Sequence, residues 1–145
     1  MRGIAIVSIV LCARVAAAEP PGEDVAIRAA SAWFAAGRAG DGAALAKVSA
    51  RTVRVQIDQY GCHVDAVAKS RAALRRVAKQ LKACSLMSAP PSSWHASQPP
   101  VGDTRVVGFA TMDESFVMVG VTVDAKGRVT DASMTTSYGG EQEAN

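Results

Sequence analysis

The segment FVMVGVTVD, residues 116–124, constrains the fold more than any other stretch of this sequence. Phe116, Met118 and Gly120 alternate with four valines, so both faces of an extended strand would be apolar. A strand with two apolar faces is typical of the middle of a sheet that is covered on one side by helix. We expect the other side to line an apolar pocket, with Phe116 and Met118 as wall residues.

Polar turns separate this segment from two further strand-like segments. RVVGFATM, residues 105–112, is followed by a polar turn at 113–115, and the turn at 124–127 leads into RVTDASMTTS, residues 128–137. Short apolar runs separated by such turns predict consecutive antiparallel strands. The C-terminal third is therefore expected to be a three-stranded antiparallel meander.

The first half of the chain is predicted to be mainly helical. A helix is expected to begin at Asp24, which would cap it, and Phe34 lies on its apolar stripe with Trp33 beside it. The glycines at 37, 40 and 42 predict a corner, after which Asp41 caps a short second helix. The alternating segment TVRVQID, residues 52–58, then predicts a strand with one buried face.

A longer helix is predicted from Asp65 to Lys82. Its apolar positions, including Leu74 and Val77, gather on one side, and its Lys and Arg residues occupy the other. Because the apolar side is needed for the core, this helix cannot also bury it in a membrane. The basic side is expected to face solvent, with the binding of an anion as the alternative. Residues 85–103, rich in proline and serine, are predicted to be a loop.

The order of these elements predicts an α+β fold in which an antiparallel sheet packs on helices. Residues 24–138 form the single predicted domain. A polar linker at 19–23 precedes it, and a polar tail at 139–145 follows it.

The first 18 residues have the three parts of a secretory signal peptide. Arg2 precedes an apolar run at 3–12, and three alanines at 16–18 supply the small residues of a cleavage site. Cleavage after Ala18 removes Arg2 and Arg14 from the 16 basic residues, which leaves 14 against 13 acidic ones. We expect a periplasmic or extracellular protein whose near-neutral charge argues against nucleic acid as its partner. No later segment is apolar enough to cross a membrane.

Cys62 and Cys84 are the two cysteines of the expected mature chain. An even number of cysteines in an oxidising compartment predicts a disulfide, and closing a loop of 22 residues would stabilise the fold by about 3 kcal/mol. The alternatives are a Cys62 nucleophile with His63 as its base, or half of a metal site. Zinc needs three or four ligands, and cysteines oxidised together cannot bind it. We therefore expect a structural disulfide, no metal site and no cofactor.

Two segments resemble the nuclear transport factor 2-like superfamily, which includes SnoaL-like cyclases and ketosteroid isomerases. WFAAGRAGDGAALAKVSARTVRV, residues 33–55, resembles the corner between the first two helices of that superfamily, and FVMVGVTVDAKGRVTDASM, residues 116–134, resembles its terminal sheet. The resemblance implies a cone-like, curved antiparallel sheet packed on one long and two shorter N-terminal helices. The superfamily commonly has a hairpin before its long helix, where this sequence predicts one strand. Residues 120–139 are also similar to the hairpin that opens a TonB C-terminal domain, which continues into a further helix and strand.

Two functions are compatible with such a cone. The first is a non-catalytic binding or interaction domain for a small apolar ligand or a protein, with Trp33, Phe116 and Met118 as pocket residues. The resemblance also implies a homodimer. The second is an acid–base enzyme, SnoaL-like or ketosteroid-isomerase-like, acting on a small apolar substrate.

The candidate catalytic residues are Asp58, Tyr60, His63 and Asp65, which would lie near one mouth of the pocket. Each of them also has a structural role in the predicted fold. Asp58 lies on the polar phase of its strand, Asp65 is placed to cap the long helix, and Tyr60 and His63 flank the disulfide. The sequence therefore favours the binding domain over the enzyme.

Overall fold

The computed structural model describes residues 22–59, 61–97 and 102–138. The expected signal peptide, the linker up to residue 21, Tyr60 and the polar tail lie outside these ranges. The described helices are α1 (Glu23–Ala39), α2 (Gly42–Val48) and α3 (Arg71–Lys82), with a short 3₁₀ helix at Ser85–Ser88. The described strands are β1 (Ser49–Gln59), β2 (Cys62–Ala68), β3 (Ser93–Ser97), β4 (Thr104–Met112), β5 (Ser115–Val123) and β6 (Val129–Tyr138).

The six strands form one curved, unclosed sheet in the order β2–β1–β6–β5–β4–β3. Neighbouring strands are antiparallel except for β1 and β6, which run parallel. The predicted α+β fold, with its N-terminal helices packed on the sheet, is confirmed. The sheet is mixed rather than wholly antiparallel because β1 and β6 are distant in sequence, so no tight turn fixes their relative direction.

The core lies on the inner face of the sheet, where the helices pack. The strand predicted at 116–124 is central, as expected, since β5 lies between β4 and β6. Its four alternate valines are buried, and β1 contributes Val53, Val55 and Ile57 to the same layer. Helix α1 crosses β3 to β6, while α3 packs against β2. The opposite face of the sheet, called the outer face below, is not covered by any described helix.

The predicted start of the long helix is wrong. Residues 62–68 form β2, which pairs with β1 in an antiparallel hairpin where the sequence predicted one strand. The helix begins at Arg71, and the Ser70 Oγ accepts the N–H of Ala73 at 3.1 Å as its N-cap. With 12 residues, α3 is shorter than α1, which has 17. Asp65 is therefore a strand residue and caps nothing.

Two other local predictions have different outcomes. The 85–103 segment is not wholly loop, since it contains the 3₁₀ helix and the edge strand β3, in which Trp94 lies over Gly108. Asp24 makes no capping hydrogen bond, because α1 begins at Glu23 with Gly22 as its N-cap. Asp41 caps α2 as predicted, with its Oδ1 accepting the N–H of Ala44 at 3.0 Å.

None of the helices within the described ranges is long and apolar enough to span a bilayer.

Candidate functional site

Asp58 and His63 face each other across the β1–β2 hairpin. They are cross-strand partners, and both side chains project from the outer face of the sheet. The His63 Nδ1 lies 2.8 Å from the Asp58 Oδ1, which accepts a hydrogen bond from it. The side chains are 72% exposed for His63 and 88% exposed for Asp58, so water surrounds the pair. An aspartate that orients a histidine in this way can assist proton transfer, but this pair lies in solvent and not in an enclosed pocket.

Asp65 lies further along β2, opposite Gln56 of β1. Together with Asp58 and His63 it lines an open depression of about 400 Å³. The structure thus brings together three of the four candidate acid–base residues, while Tyr60 lies outside the described residues. The depression lies on the outer face of the β1–β2 hairpin, at the edge of the sheet.

Cys62 and Cys84 form a disulfide, with their Cα atoms 4.8 Å apart. It joins the first residue of β2 to the segment that follows α3, and both cysteines are buried. Cys62 points into the core and His63 points outward, because successive residues of a strand alternate between its faces. The two sulfurs are bonded to each other, so neither is a nucleophile or a ligand. No group of three or more His, Cys, Asp and Glu in the described ranges is placed to hold a metal ion.

Trp33 lies in the core and not at the wall of a cavity. It is 2% exposed, and its Nε1 has no hydrogen-bond partner among the described residues. The space between helices and sheet is filled by large side chains, among them Phe34, Leu45, Leu81 and Met87. The main cavities formed by the described residues are surface depressions, and none is lined by Trp33 or by the other two predicted pocket residues. These apolar side chains are buried together in the core.

Phe116 and Met118 project from the outer face, on the side of the sheet away from the helices. With Phe109 they form a group that we call the outer apolar patch, in which the exposed fractions are 42% for Phe109, 51% for Phe116 and 42% for Met118. Phe109 is the cross-strand partner of Met118, and the ring of His95 on β3 meets Phe109 edge-on at 5.9 Å. The alternation in 116–124 separates these residues from the buried valines, but it does not tell which set faces the helices. Phe109 was not predicted from the sequence as part of this surface.

Arg105 lies across the outer face beside the outer apolar patch. Its Nη1 donates to the Thr122 Oγ1 at 2.9 Å and to the Asp131 Oδ2 at 3.3 Å, and its Nη2 donates to the Ser133 Oγ at 3.2 Å. Arg105 is on β4 and its partners are on β5 and β6, so its guanidinium links three neighbouring strands. No local sequence pattern indicates this cluster, because its members are up to 28 residues apart.

No protein-family model matches the chain, and no curated protein matches it significantly. Solved structures with a similar fold include a protein from Sphaerobacter thermophilus, 13% identical, with a TM-score of 0.50 over 77% of this chain and 94% of that one. An NTF2-like protein from Burkholderia xenovorans is 19% identical, with a TM-score of 0.49 over 80% of this chain and 92% of that one. A SnoaL-like protein of unknown function from Burkholderia thailandensis is 13% identical, with a TM-score of 0.48 over 82% of this chain and 99% of that one.

At sequence identities of 13–19%, the likeness of this chain to these solved structures is a likeness of fold alone. A curved, unclosed sheet with three helices packed on it is the arrangement found in nuclear transport factor 2-like folds. The loose resemblance of the sequence to the nuclear transport factor 2-like, SnoaL-like superfamily is confirmed at that level.

Proposed function

We propose that this chain is an exported, non-catalytic binding domain that acts through the outer face of its sheet, where a second copy of the chain docks. The outer apolar patch is the observation that carries this proposal. Its three large side chains are adjacent and about half exposed, although the core is complete without them. Contiguous exposed apolar surface of this kind marks interaction sites more often than free surface.

Export is supported by two features of the chain. The N-terminal 18 residues have the charge, the apolar run and the small residues of a signal peptide. The Cys62–Cys84 disulfide is of a kind that persists in oxidising compartments and is rare in the cytosol.

The size of the outer face suits a second copy as its occupant. The six strands are separated by five spacings of about 4.8 Å, and the central strands β4 and β5 have nine residues that rise about 3.4 Å each. The outer face therefore has an area of roughly 700 Å² in each copy. A standard stable interface buries about 800 Å² per partner. A face of this area can therefore account for most of a dimer interface.

The charge of the outer face also permits self-association. The positive charges of Arg54 and Arg105 are balanced there by the aspartates at positions 58, 65 and 131. Arg54 is the parallel-strand partner of Asp131. Two such faces can approach without the strong repulsion that like-charged surfaces suffer. The helical face is less suitable, since α3 carries five Lys and Arg residues and no acidic residue.

Sedimentation velocity of the purified protein over a range of concentrations tests this proposal. We expect the wild-type protein to be a dimer. The double variant Phe116→Thr/Met118→Thr should raise the dissociation constant of this dimer about tenfold or more, because both replaced side chains would be buried in the contact. Val25→Thr is the matched control, since Val25 is 42% exposed on α1, which packs on the opposite face of the sheet. A wild-type protein that stays monomeric, or a control that dissociates the dimer equally, would contradict the proposal. A different protein retained on the patch of a monomer would contradict the choice of partner.

An acid–base enzyme is the second candidate, and the Asp58–His63 hydrogen bond is the observation in its favour. Its test is the isomerisation of a β,γ-unsaturated ketone, followed by the ultraviolet absorbance of the conjugated product. If the enzyme exists, Asp58→Asn lowers this rate at least about tenfold, whereas Arg76→Gln on the exposed side of α3 leaves it unchanged. Equal rates with and without the wild-type protein would exclude this activity.

A further inference from the structure

A strongly basic groove lies at one end of the sheet and shares no residue with the outer apolar patch. Three segments form it: the start of β1 at 49–52, the β2–α3 junction at 69–71 and the β5–β6 turn at 124–128. The groove has a volume of about 620 Å³ and is open to solvent. Its charged lining residues are Arg51, Lys69, Arg71, Lys126, Arg128 and a single acidic residue, Asp124. We call it the basic groove.

The carboxylate of Asp124 is engaged by the backbone of its own turn. Its Oδ1 accepts the N–H groups of Lys126 and Arg128, both at 2.9 Å. Asp124 thus shapes the turn that carries two of the five cations. The ion pairs within the described ranges are His63–Asp58 and Arg105–Asp131, both elsewhere, so no cation of the basic groove has a carboxylate within 4.0 Å there. Five like charges around one groove repel one another and attract an anion.

The first turn of α3 adds to this positive potential. Ser70, Arg71 and Leu74 all line the basic groove, which places the N-terminal end of a 12-residue helix against it. The positive end of the helix dipole favours a negative charge at that position. Since the Ser70 Oγ takes the N–H of Ala73, the N–H groups of residues 71 and 72 remain without an acceptor inside the helix.

A smaller groove of about 170 Å³ adjoins the first, and Ala46 and Arg71 line both. It adds Lys47 and Arg75, which brings the cations around the two grooves to seven. These are half of the 14 Lys and Arg residues in the described ranges, since Arg2 and Arg14 of the total of 16 lie outside. The positive charge therefore extends along a path with Arg71 at its middle.

We propose that the basic groove and the smaller groove that adjoins it bind a soluble polyanion that carries several linked phosphate groups. Arginine donates paired hydrogen bonds to phosphate oxygens, and four of the seven cations are arginines. An extended anion fits better than a single phosphate because the cations are spread over two adjoining grooves. The grooves and the outer apolar patch have no residue in common, so the variants that test one leave the residues of the other unchanged.

Isothermal titration calorimetry with inorganic tripolyphosphate and with orthophosphate tests this inference. We expect tripolyphosphate to bind the purified protein about tenfold or more tightly than orthophosphate, with an affinity that falls as salt is added. In the triple variant Arg51→Gln/Arg71→Gln/Arg128→Gln the tripolyphosphate affinity falls about tenfold or more, because three charge-assisted contacts are lost. The single variants Arg71→Gln and Arg128→Gln are measured as well, so that the result does not depend on the folding of the triple variant.

The matched control is Arg38→Gln/Arg76→Gln/Lys79→Gln, which removes the same net charge from residues that do not line either groove. It is expected to bind tripolyphosphate as the wild type does. Equal losses in the two triple variants would overturn the inference, since binding would then follow net charge alone. Absence of tripolyphosphate binding would also overturn it, including the case in which the protein sediments only with phosphatidylglycerol vesicles.

Discussion

Arg105 lies directly over Gly120, and its Cζ is 2.9 Å from the position that a Cβ atom on residue 120 would occupy. The hydrogen bonds to Thr122, Asp131 and Ser133 hold the guanidinium there. The glycine is required for space and not for an unusual backbone conformation. The charged cluster on the outer face thus depends on the lack of a side chain at one position of the central strand.

Gly120→Ala is expected to destabilise the protein by up to about 1 kcal/mol, because the methyl group displaces the half-exposed end of Arg105 from its three partners. The free energy of unfolding in urea measures this. In the background of Arg105→Ala the same change should cost much less, since the atom in the way is part of the side chain that has been removed. A full penalty in that background would contradict the proposed contact.

Gly42→Ala is expected to be destabilising for a different reason. A Cβ on residue 42 would lie 2.9 Å from the Cα of Arg75, so α2 and α3 would have to move apart. We expect a loss of about 1–3 kcal/mol in the free energy of unfolding. Unlike the Gly120 case, Arg75→Ala should not restore stability, because the contact with the backbone remains. Full rescue by Arg75→Ala would show that the side chain alone is responsible.

The double variant Cys62→Ala/Cys84→Ala is expected to lose about 3 kcal/mol in the free energy of unfolding. Without the bridge across 22 residues, the unfolded chain gains conformational entropy. Guanidinium unfolding of the oxidised wild type, the reduced wild type and the variant measures it. The two forms without the bridge should have similar midpoints, and reductant should not alter the variant. Equal midpoints for the oxidised and reduced wild type would contradict a stabilising role.

The capping residues give a direct comparison of two aspartates. Asp41→Ala is expected to cost about 1 kcal/mol, because the N–H of Ala44 loses its acceptor. Asp24→Ala should cost only a few tenths of a kcal/mol, since this aspartate makes no capping bond and interacts only with the positive end of α1. Thermal unfolding of both variants tests the difference, and the reverse ranking would place the helix boundary at Asp24.

Local patterns predicted much of the fold. The meander of β4 to β6 could be recognised because each strand alternates and each connection is a short polar turn. The cysteine pair could be predicted because only two cysteines remain after the expected cleavage, and the structure joins them. The Asp41 cap followed from its position directly after a glycine-rich corner.

The boundary between β2 and α3 could not be predicted in the same way. Val67 and Leu74 fit a single helical stripe, so residues 65–70 read as the first turns of the helix. Pairing with β1 decides the conformation of this segment, and that contact is not encoded locally. The placement of the two faces of β5 was also beyond a sequence pattern, because alternation separates Phe116 and Met118 from the valines but does not tell which set the helices cover.

The strand order gives β6 a special place in the assembly of the sheet. Without it, the described strands divide into a β1–β2 hairpin and a β3–β4–β5 meander that share no ladder of hydrogen bonds. The contact from Gln59 to Thr136 spans 77 residues, so this junction is among the slowest to form by loop closure. During synthesis the β1–β2 hairpin and the β3–β4–β5 meander can join only after residues 129–138 have been made. A chain that ends before Val129 would leave one edge of β1 and one edge of β5 unpaired, and such edges can pair with other incomplete chains.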